Sequence, residues 1–195
     1  PLVMRSQQGS SPNNRLNVAC VGIGGRGAAA VSAMKNENIV ALCDVDDARA
    51  AKTLAAHQGV PHFRDFRRML EKMEKQIDAV TVSTPDHMHF PIAMAAMSLG
   101  KHVYVEKPLS HTVWEARQLA KKAAEKKVVT QMGNQGHAGE GCRILKEWVD
   151  AGVLGEVREI ASWTNRPFYP PWREPVGSYK KPDHSKFIPV VPKGL

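Results

Sequence analysis

Three glycines, Gly22, Gly24 and Gly27, fit the pattern G-x-G-x-x-G directly after an apolar run. In this pattern the first glycine allows a tight turn, the second lets the backbone approach a pyrophosphate, and the third lets a helix pack close to the strand. Asp44 lies twenty residues beyond Gly24, at the end of a second apolar run. Its carboxylate is placed to accept hydrogen bonds from ribose hydroxyls, so this segment predicts a dinucleotide site.

The acidic residues near the end of the second apolar run indicate which dinucleotide is bound. A carboxylate at Asp44 favours the free 2′-hydroxyl of NAD, and Asp46 and Asp47 add further repulsion against the 2′-phosphate of NADP. No arginine or lysine occurs after Asp44 until Arg49. We therefore predict NAD, with NADP less favoured. Asp46 or Asp47 is also placed to cap the next helix, which is compatible with this prediction.

Polar side chains follow three later apolar runs, at 78–83, 102–105 and 128–132. Ligands of an open parallel sheet bind beyond the carboxyl ends of its strands. These side chains are therefore expected on the same edge as the glycine loop. They belong to Thr84, Asp86, His87, Glu106, Lys107, Asn134 and His137.

Apolar runs alternate with amphipathic segments from Leu16 onward. This alternation predicts an α/β fold, a Rossmann doubly wound parallel sheet covered by helices on both faces. Capping signals support the helix ends: Thr112 and Glu115 form a capping box, and Gly100 and Gly152 read as helix stops. The predicted strands are 16–21, 39–44, 78–83, 102–105 and 128–132, with a short additional strand at 60–63. The predicted helices are 26–35, 47–58, 65–75, 88–99, 112–126 and 138–151.

The amino-acid composition changes at both ends of the sequence. Residues 1–15 are polar and predict a flexible leader, and residues 16–136 predict the dinucleotide-binding domain. Residues 137–195 predict the beginning of a truncated α+β domain, including one further strand over 156–163. We expect the chain to be a fragment of a longer protein, with a naturally short protein as the alternative.

Composition narrows the function classes. The net charge is +8, but the basic residues are scattered and no aromatic-interleaved patch accompanies them, so we expect no nucleic-acid partner. The three cysteines lack metal-ligand spacing, and no metal site is predicted; Cys20 and Cys43 read as buried thiols. No apolar run approaches the roughly 20 residues that span a bilayer. We expect a cytoplasmic protein, or a periplasmic one if an upstream twin-arginine signal has been removed.

Several of these segments together resemble the Gfo/Idh/MocA oxidoreductases: GIGGRG, the acidic strand end, STPDHMH, and EKP after HVYV. The similarity spans about Leu16 to Arg166. It implies NAD(P)-dependent oxidation or reduction of a sugar, inositol or related polyol. It also implies that Lys107 contacts the substrate hydroxyl and exchanges its proton.

The resemblance extends to individual site residues. It implies that Glu106 and Pro108 meet the nicotinamide end of the cofactor. The expected substrate-side residues are Lys107, Asn134, His137 and Arg166. The expected cofactor-binding residues are Gly22, Gly24, Gly25, Arg26, Gly27, Asp44, Thr84, Pro85, His87, Glu106, Lys107 and Pro108.

Plainer interpretations stand beside these roles. Lys107 could be a solvated loop lysine, and Glu106 could pair structurally with a nearby base. His89 could simply belong to the first turn of the helix before Pro91. His87 could touch cofactor or substrate, and His137 could be a helix cap.

The family's second catalytic group, usually the histidine of an Asp-x-x-x-His pattern, does not occur after Gly155. Three hypotheses follow: an NAD-dependent dehydrogenase, an NAD-dependent glycosidase of the same family, or a non-catalytic NAD-binding module if the gene ends here. In the longer protein the resemblance implies a homo-oligomer.

Overall fold

The computed structural model describes residues 15–161 and residue 163. The predicted leader lies outside these residues apart from Arg15, and so does Arg166. The chain divides into two compact units, Pro1–Glu147 and Trp148–Leu195. The domain boundaries at 15/16 and 136/137 stay predictions.

The first unit contains a parallel sheet of six strands in the order β3-β2-β1-β4-β5-β6. The chain runs outward from β1 through β2 to β3 and then returns to continue from β4 on the other side. This reversal opens a crevice at the carboxyl ends of β1 and β4. The predicted doubly wound fold is confirmed, including the short third strand. The strands are β1 Asn17–Val21, β2 Asn38–Cys43, β3 His62–Phe63, β4 Ala79–Val82, β5 His102–Glu106 and β6 Thr130–Gly133.

Helices follow the strands and begin where the capping signals predict. Asp46 accepts a hydrogen bond from the Arg49 N–H, and Thr112 and Glu115 form the complete capping box. Gly100 has φ 74° just past a helix end, in the left-handed region that glycine adopts without strain. The helices are α1 Arg26–Ala33, α2 Asp47–Ala56, α3 Phe66–Met73, α4 His89–Ser98, α5 Val113–Lys126 and α6 Glu140–Asp150. Short 3₁₀ turns span Glu74–Gln76 and Asp86–Met88.

The sheet is buried on both faces, which explains why its central strands are apolar throughout. Along β1, Val18 and Cys20 pack with Val31 of α1 in one core cluster. Ala19 and Val21 point the other way, into a larger cluster. The strand ends that carry the polar loops are therefore anchored from both sides.

The predicted strand over 156–163 is wrong for the residues that the structure describes. Residues 156–161 and 163 have no regular secondary structure. A strand requires a neighbour for its backbone N–H and C=O groups, and no described residue pairs with this segment. Among the described residues, no helix is long and apolar enough to cross a membrane.

Candidate functional site: a crevice at the ends of β1 and β4

At two glycines of the loop between β1 and α1, backbone atoms leave no room for a side chain. Gly22 has φ +77°, and a Cβ there would lie 2.7 Å from the carbonyl carbon and oxygen of Ser83. A Cβ on Gly27 would lie 1.7 Å from the Gly22 carbonyl oxygen. Neither position has room for a side chain, so the two glycines are required by the close approach of β1, α1 and the loop after β4.

Asp44 holds this loop through its side chain. Its Oδ2 accepts hydrogen bonds from the N–H groups of Ile23 at 2.8 Å and Gly24 at 3.0 Å. Its Oδ1 accepts from the Asp46 N–H at 3.1 Å. The carboxylate predicted to meet ribose hydroxyls is therefore also a brace for the glycine loop. The sequence alone did not indicate this second role.

The N-terminus of α1 presents unused backbone donors. Among the described residues, the N–H groups of Gly25 and Arg26 have no hydrogen-bond acceptor. Gly25 has φ 53° and ψ −116°, a conformation suited to glycine. Free N–H groups at a helix start, together with the positive end of the helix dipole, favour a phosphate.

A cavity of about 850 Å³ opens over this loop. Seven of the predicted cofactor-binding residues line it. They are Gly22, Gly24, Arg26, Asp44, Thr84, Pro85 and His87. Gly25 and Gly27 belong to the same loop, whereas Glu106, Lys107 and Pro108 lie outside the cavity lining.

Sequence reasoning missed one wall of the cavity. Arg64, Phe66 and Arg67 line it from the segment that follows β3. Arg64 donates to the Val45 carbonyl at 2.7 Å, which ties this segment to the end of β2. The sequence did indicate this wall, because Phe63 ends a predicted strand. Ligands of a parallel sheet bind beyond the carboxyl ends of its strands, which are the residues directly after Phe63.

Two hydroxyls at the end of β4 have no partner within the described part of the chain. Ser83 Oγ and Thr84 Oγ1 are buried, and neither makes a hydrogen bond. Buried polar groups are normally paired, so unpaired ones need an explanation. Both residues line the cavity, and a bound polar ligand is one source of the missing partners.

The loop after β5 is more open. Lys107 is exposed, and its ammonium has no hydrogen bond or ion pair within the described residues. Glu106, the last residue of β5, is only 7% exposed and accepts a hydrogen bond from Gln135 Nε2 at 2.6 Å. Arg26 Nε lies 3.9 Å from Glu106 Oε1. The structural pairing considered for Glu106 is therefore present, and its cofactor role stays a prediction.

Tyr104 belongs to the same cluster. Gln135 Nε2 also donates to its hydroxyl at 3.2 Å. Burial and the nearby Glu106 carboxylate raise the pKa of Tyr104, because both disfavour a phenolate. Tyr104 therefore remains a neutral donor and acceptor near the end of β5.

The remaining predicted site residues lie apart from the cavity. Asn134 and His137 are exposed in the turn between β6 and α6, and neither lines the cavity. His137 precedes α6 by three positions, so it is not the residue before the first helical turn. The substrate-side roles of these residues stay predictions.

His89 is 1% exposed and links two loops. Its Nδ1 lies 2.5 Å from the Pro108 carbonyl oxygen, and its Nε2 lies 2.9 Å from the Thr84 carbonyl oxygen. The histidine does belong to the first turn of α4, but its side chain bridges the loops that follow β4 and β5. Nothing in the local sequence spacing predicted this contact.

Residues 16–134 match the sequence profile of the Gfo/Idh/MocA family, an oxidoreductase family with an NAD-binding Rossmann fold. The chain belongs to this family. The resemblance found in the motifs is confirmed, and so is the choice of NAD as the cofactor.

Individual relatives of this Gfo/Idh/MocA chain include proteins with two kinds of activity. A glycosyl hydrolase family 109 protein from Solibacter usitatus is 31% identical over 159 residues, which covers 75% of this chain and 36% of the relative. An inositol 2-dehydrogenase/D-chiro-inositol 3-dehydrogenase from Lacticaseibacillus casei is 30% identical and covers 72% and 42%, respectively. The chain thus spans about two fifths or less of these curated relatives.

A solved structure supports the same fold. The crystal structure of an NAD-binding oxidoreductase from Klebsiella pneumoniae superposes with a TM-score of 0.63 and 30% identity. The match covers 73% of this chain and 40% of the other.

The residues present fit NAD. The glycine loop has no Cβ where a pyrophosphate would approach, and two N–H groups at the start of α1 have no acceptor in the described part of the chain. Asp44, the residue predicted to meet the ribose, lines the cavity. The family's NAD-binding function therefore has a physical basis in this loop.

Proposed function

We propose that this chain is the cofactor-binding part of an NAD-dependent dehydrogenase that acts on a sugar, inositol or related polyol. In this proposal Lys107 exchanges the proton of the substrate hydroxyl. The observation that carries the proposal is the exposed ammonium of Lys107, which makes no hydrogen bond or ion pair with any described residue. Lys107 follows β5 directly, two strands along from the glycine loop.

The sheet order supports this role for Lys107. β4 lies between β1 and β5, and all three strands are parallel. The glycine loop, the Thr84 loop and the Lys107 loop therefore leave the sheet at one edge. A dinucleotide that extends from the glycine loop along this edge would pass the Thr84 loop before it reaches Lys107.

The proposed reaction balances with one proton and one hydride. NAD, when bound, would supply the acceptor for the hydride that leaves the substrate carbon as its C–H bond breaks. Lys107, in its neutral amine form, takes the proton as the O–H bond of the substrate breaks and the C=O bond forms. In the reverse direction the Lys107 ammonium returns the proton to the carbonyl oxygen.

The proposed cofactor contacts follow the same path. The backbone N–H groups of Gly25 and Arg26 would bind the phosphates, and Asp44 would accept from the ribose hydroxyls. Thr84, Pro85 and His87 would line the middle of the crevice. Glu106 and Pro108 would lie at the nicotinamide end.

The test uses the full-length protein that contains this chain. Sugars and polyols are screened for NADH formation at 340 nm, and Lys107→Ala is then compared with the parent on the best substrate. Turnover should fall by at least about a thousandfold, because general acid–base groups contribute roughly 10²–10⁴-fold and the substrate also loses a contact. NAD affinity, measured by calorimetry, should change little.

Lys121→Ala is the matched control, since Lys121 is an exposed lysine of α5. It should retain parental turnover. Near-normal turnover in Lys107→Ala would remove Lys107 from the chemistry, and absence of NADH formation with every polyol would remove the dehydrogenase proposal.

A second candidate is an NAD-dependent glycosidase, favoured by the similarity to the glycosyl hydrolase family 109 protein. Such an enzyme would oxidise its substrate transiently, eliminate the leaving group and reduce the product again. It would release free sugar from a glycoside with no net accumulation of NADH. Measuring both products in one assay separates the two functions.

A further inference from the structure

His89 stands between the two loops that the proposed function requires to be close together. It is the first residue of α4, and the 3₁₀ turn Asp86–Met88 brings the chain back over the end of the sheet before it. Its imidazole is almost completely buried, at 1% exposure for the residue. The ring therefore cannot exchange its protein partners for water.

Both partners of the ring are carbonyl oxygens. Nδ1 lies 2.5 Å from the Pro108 oxygen, and Nε2 lies 2.9 Å from the Thr84 oxygen. A carbonyl oxygen accepts hydrogen bonds and cannot donate them. A neutral imidazole has one N–H, so one of its nitrogens would direct a lone pair at a carbonyl lone pair.

Only the imidazolium form donates to both oxygens. Burial of a charge is costly, but here each N–H of the imidazolium has a carbonyl acceptor at hydrogen-bond distance, whereas a neutral ring leaves one carbonyl facing a lone pair.

We propose that His89 is a positioning residue whose imidazolium donates to the carbonyls of Thr84 and Pro108 and thereby fixes the loops that follow β4 and β5 relative to one another. Thr84 is also next to Ser83, whose backbone limits the space at Gly22. The two hydrogen bonds of His89 therefore connect the glycine loop, through Ser83 and Thr84, to Pro108, the residue after Lys107. Its relevance to catalysis rests on the proposed function of Lys107, but its effect on cofactor binding does not.

The first test is spectroscopic and uses the present chain, labelled with ¹⁵N, at pH 7. Two-bond ¹H–¹⁵N correlation spectra report whether each ring nitrogen carries a proton. Both nitrogens of His89 should appear protonated. A single unprotonated nitrogen on His89 would overturn the proposal. His111, which is exposed, serves as the reference residue, and its signals are assigned with His111→Gln.

The second test uses His89→Gln, which retains one donor group but cannot reach two oxygens on opposite sides. NAD binding by calorimetry should weaken at least about tenfold, because the Thr84 loop that lines the cavity loses its hydrogen-bonded connection to the Pro108 loop. The backbone amide signals of Lys107 and Leu109 should shift, while those of β3 should not. His111→Gln should leave all of these readouts unchanged.

A lower melting temperature with unchanged NAD affinity in the folded His89→Gln protein would overturn the proposal, because it would show a role in stability alone. The spectroscopic test on the parent chain stands even if the variant does not fold. Failure of the full-length protein to oxidise any polyol would remove the proposed function and leave both readouts intact, so the two failures are distinguishable.

Discussion

Backbone atoms limit the space at Gly22 and Gly27 of the β1–α1 loop, whereas the ends of side chains limit it at Gly133, beside the end of β5. At Gly27 the nearest obstacle to a Cβ is a carbonyl oxygen at 1.7 Å. At Gly133, beside the β5 end, it is the Tyr104 hydroxyl at 2.6 Å. Backbone cannot move without disturbing the sheet, but the end of a tyrosine side chain can. The phosphate end of the crevice is therefore rigid, and the end proposed for chemistry can adapt.

Gly27→Ala should produce the largest effect. The new methyl group would overlap the Gly22 carbonyl, and relief would require α1 to move away from β1. We expect the free energy of unfolding to fall by more than about 3 kcal/mol, at the upper end for overpacking, and NAD binding to be lost. Urea unfolding and calorimetry measure the two quantities.

Gly141→Ala is the control for this substitution. Gly141 is the second residue of α6 and has nothing near its Cβ position, so alanine should leave the stability unchanged or raise it by up to about 1 kcal/mol. A Gly27→Ala protein as stable as the parent would contradict the description of the loop as rigid.

Asp44→Ala should have the next largest effect. It leaves the N–H groups of Ile23 and Gly24 without their acceptor, and unsatisfied, partly buried donors cost about 1–3 kcal/mol. NAD affinity should fall far more than NADP affinity, because the substitution removes the proposed ribose acceptor and with it a negative charge that would repel the 2′-phosphate. Calorimetry with both dinucleotides gives the ratio.

Asp78→Ala is the matched control, since Asp78 Oδ2 accepts from the Asn17 N–H at the opposite end of β1. It should destabilise the protein modestly and leave the ratio of NAD to NADP affinity unchanged. Equal losses for both dinucleotides in Asp44→Ala would end the ribose assignment and leave only the role in bracing the loop.

Gly133→Ala should have the smallest effect of the three. The obstacle is the Tyr104 hydroxyl, with Glu106 Oε2 at 3.0 Å, and both are ends of side chains. We expect a loss of about 1 kcal/mol in the free energy of unfolding, at the lower end for overpacking. Adding Tyr104→Phe should recover most of it. No recovery in the double variant would show that the β5 end is as rigid as the glycine loop.

The same contrast explains what the sequence could predict. Glycine spacing and strand periodicity located β1, β2 and the glycine loop, because each of these depends on local geometry. The capping residues Asp46 and Thr112 were predictable for the same reason. The strand over 156–163 failed because pairing depends on a neighbour that no local pattern supplies.

Contacts between distant segments were the part that the sequence did not reveal. Arg64 reaches Val45 across nineteen positions, and Gln135 reaches Glu106 across twenty-nine. His89 satisfies a helical pattern equally well whether its ring faces the core or bridges two carbonyls. Such partners are fixed by how the strands are arranged in space, and they become visible only with the fold.

The two hydrogen bonds that Asp44 accepts from the glycine loop also constrain any attempt to change the cofactor preference. A redesign toward NADP that simply deletes the carboxylate would remove repulsion of the phosphate and loosen the loop that must bind it. Replacement by serine or asparagine keeps one oxygen as an acceptor for these N–H groups. A productive redesign of this protein would begin from such a residue and then add a cation for the phosphate.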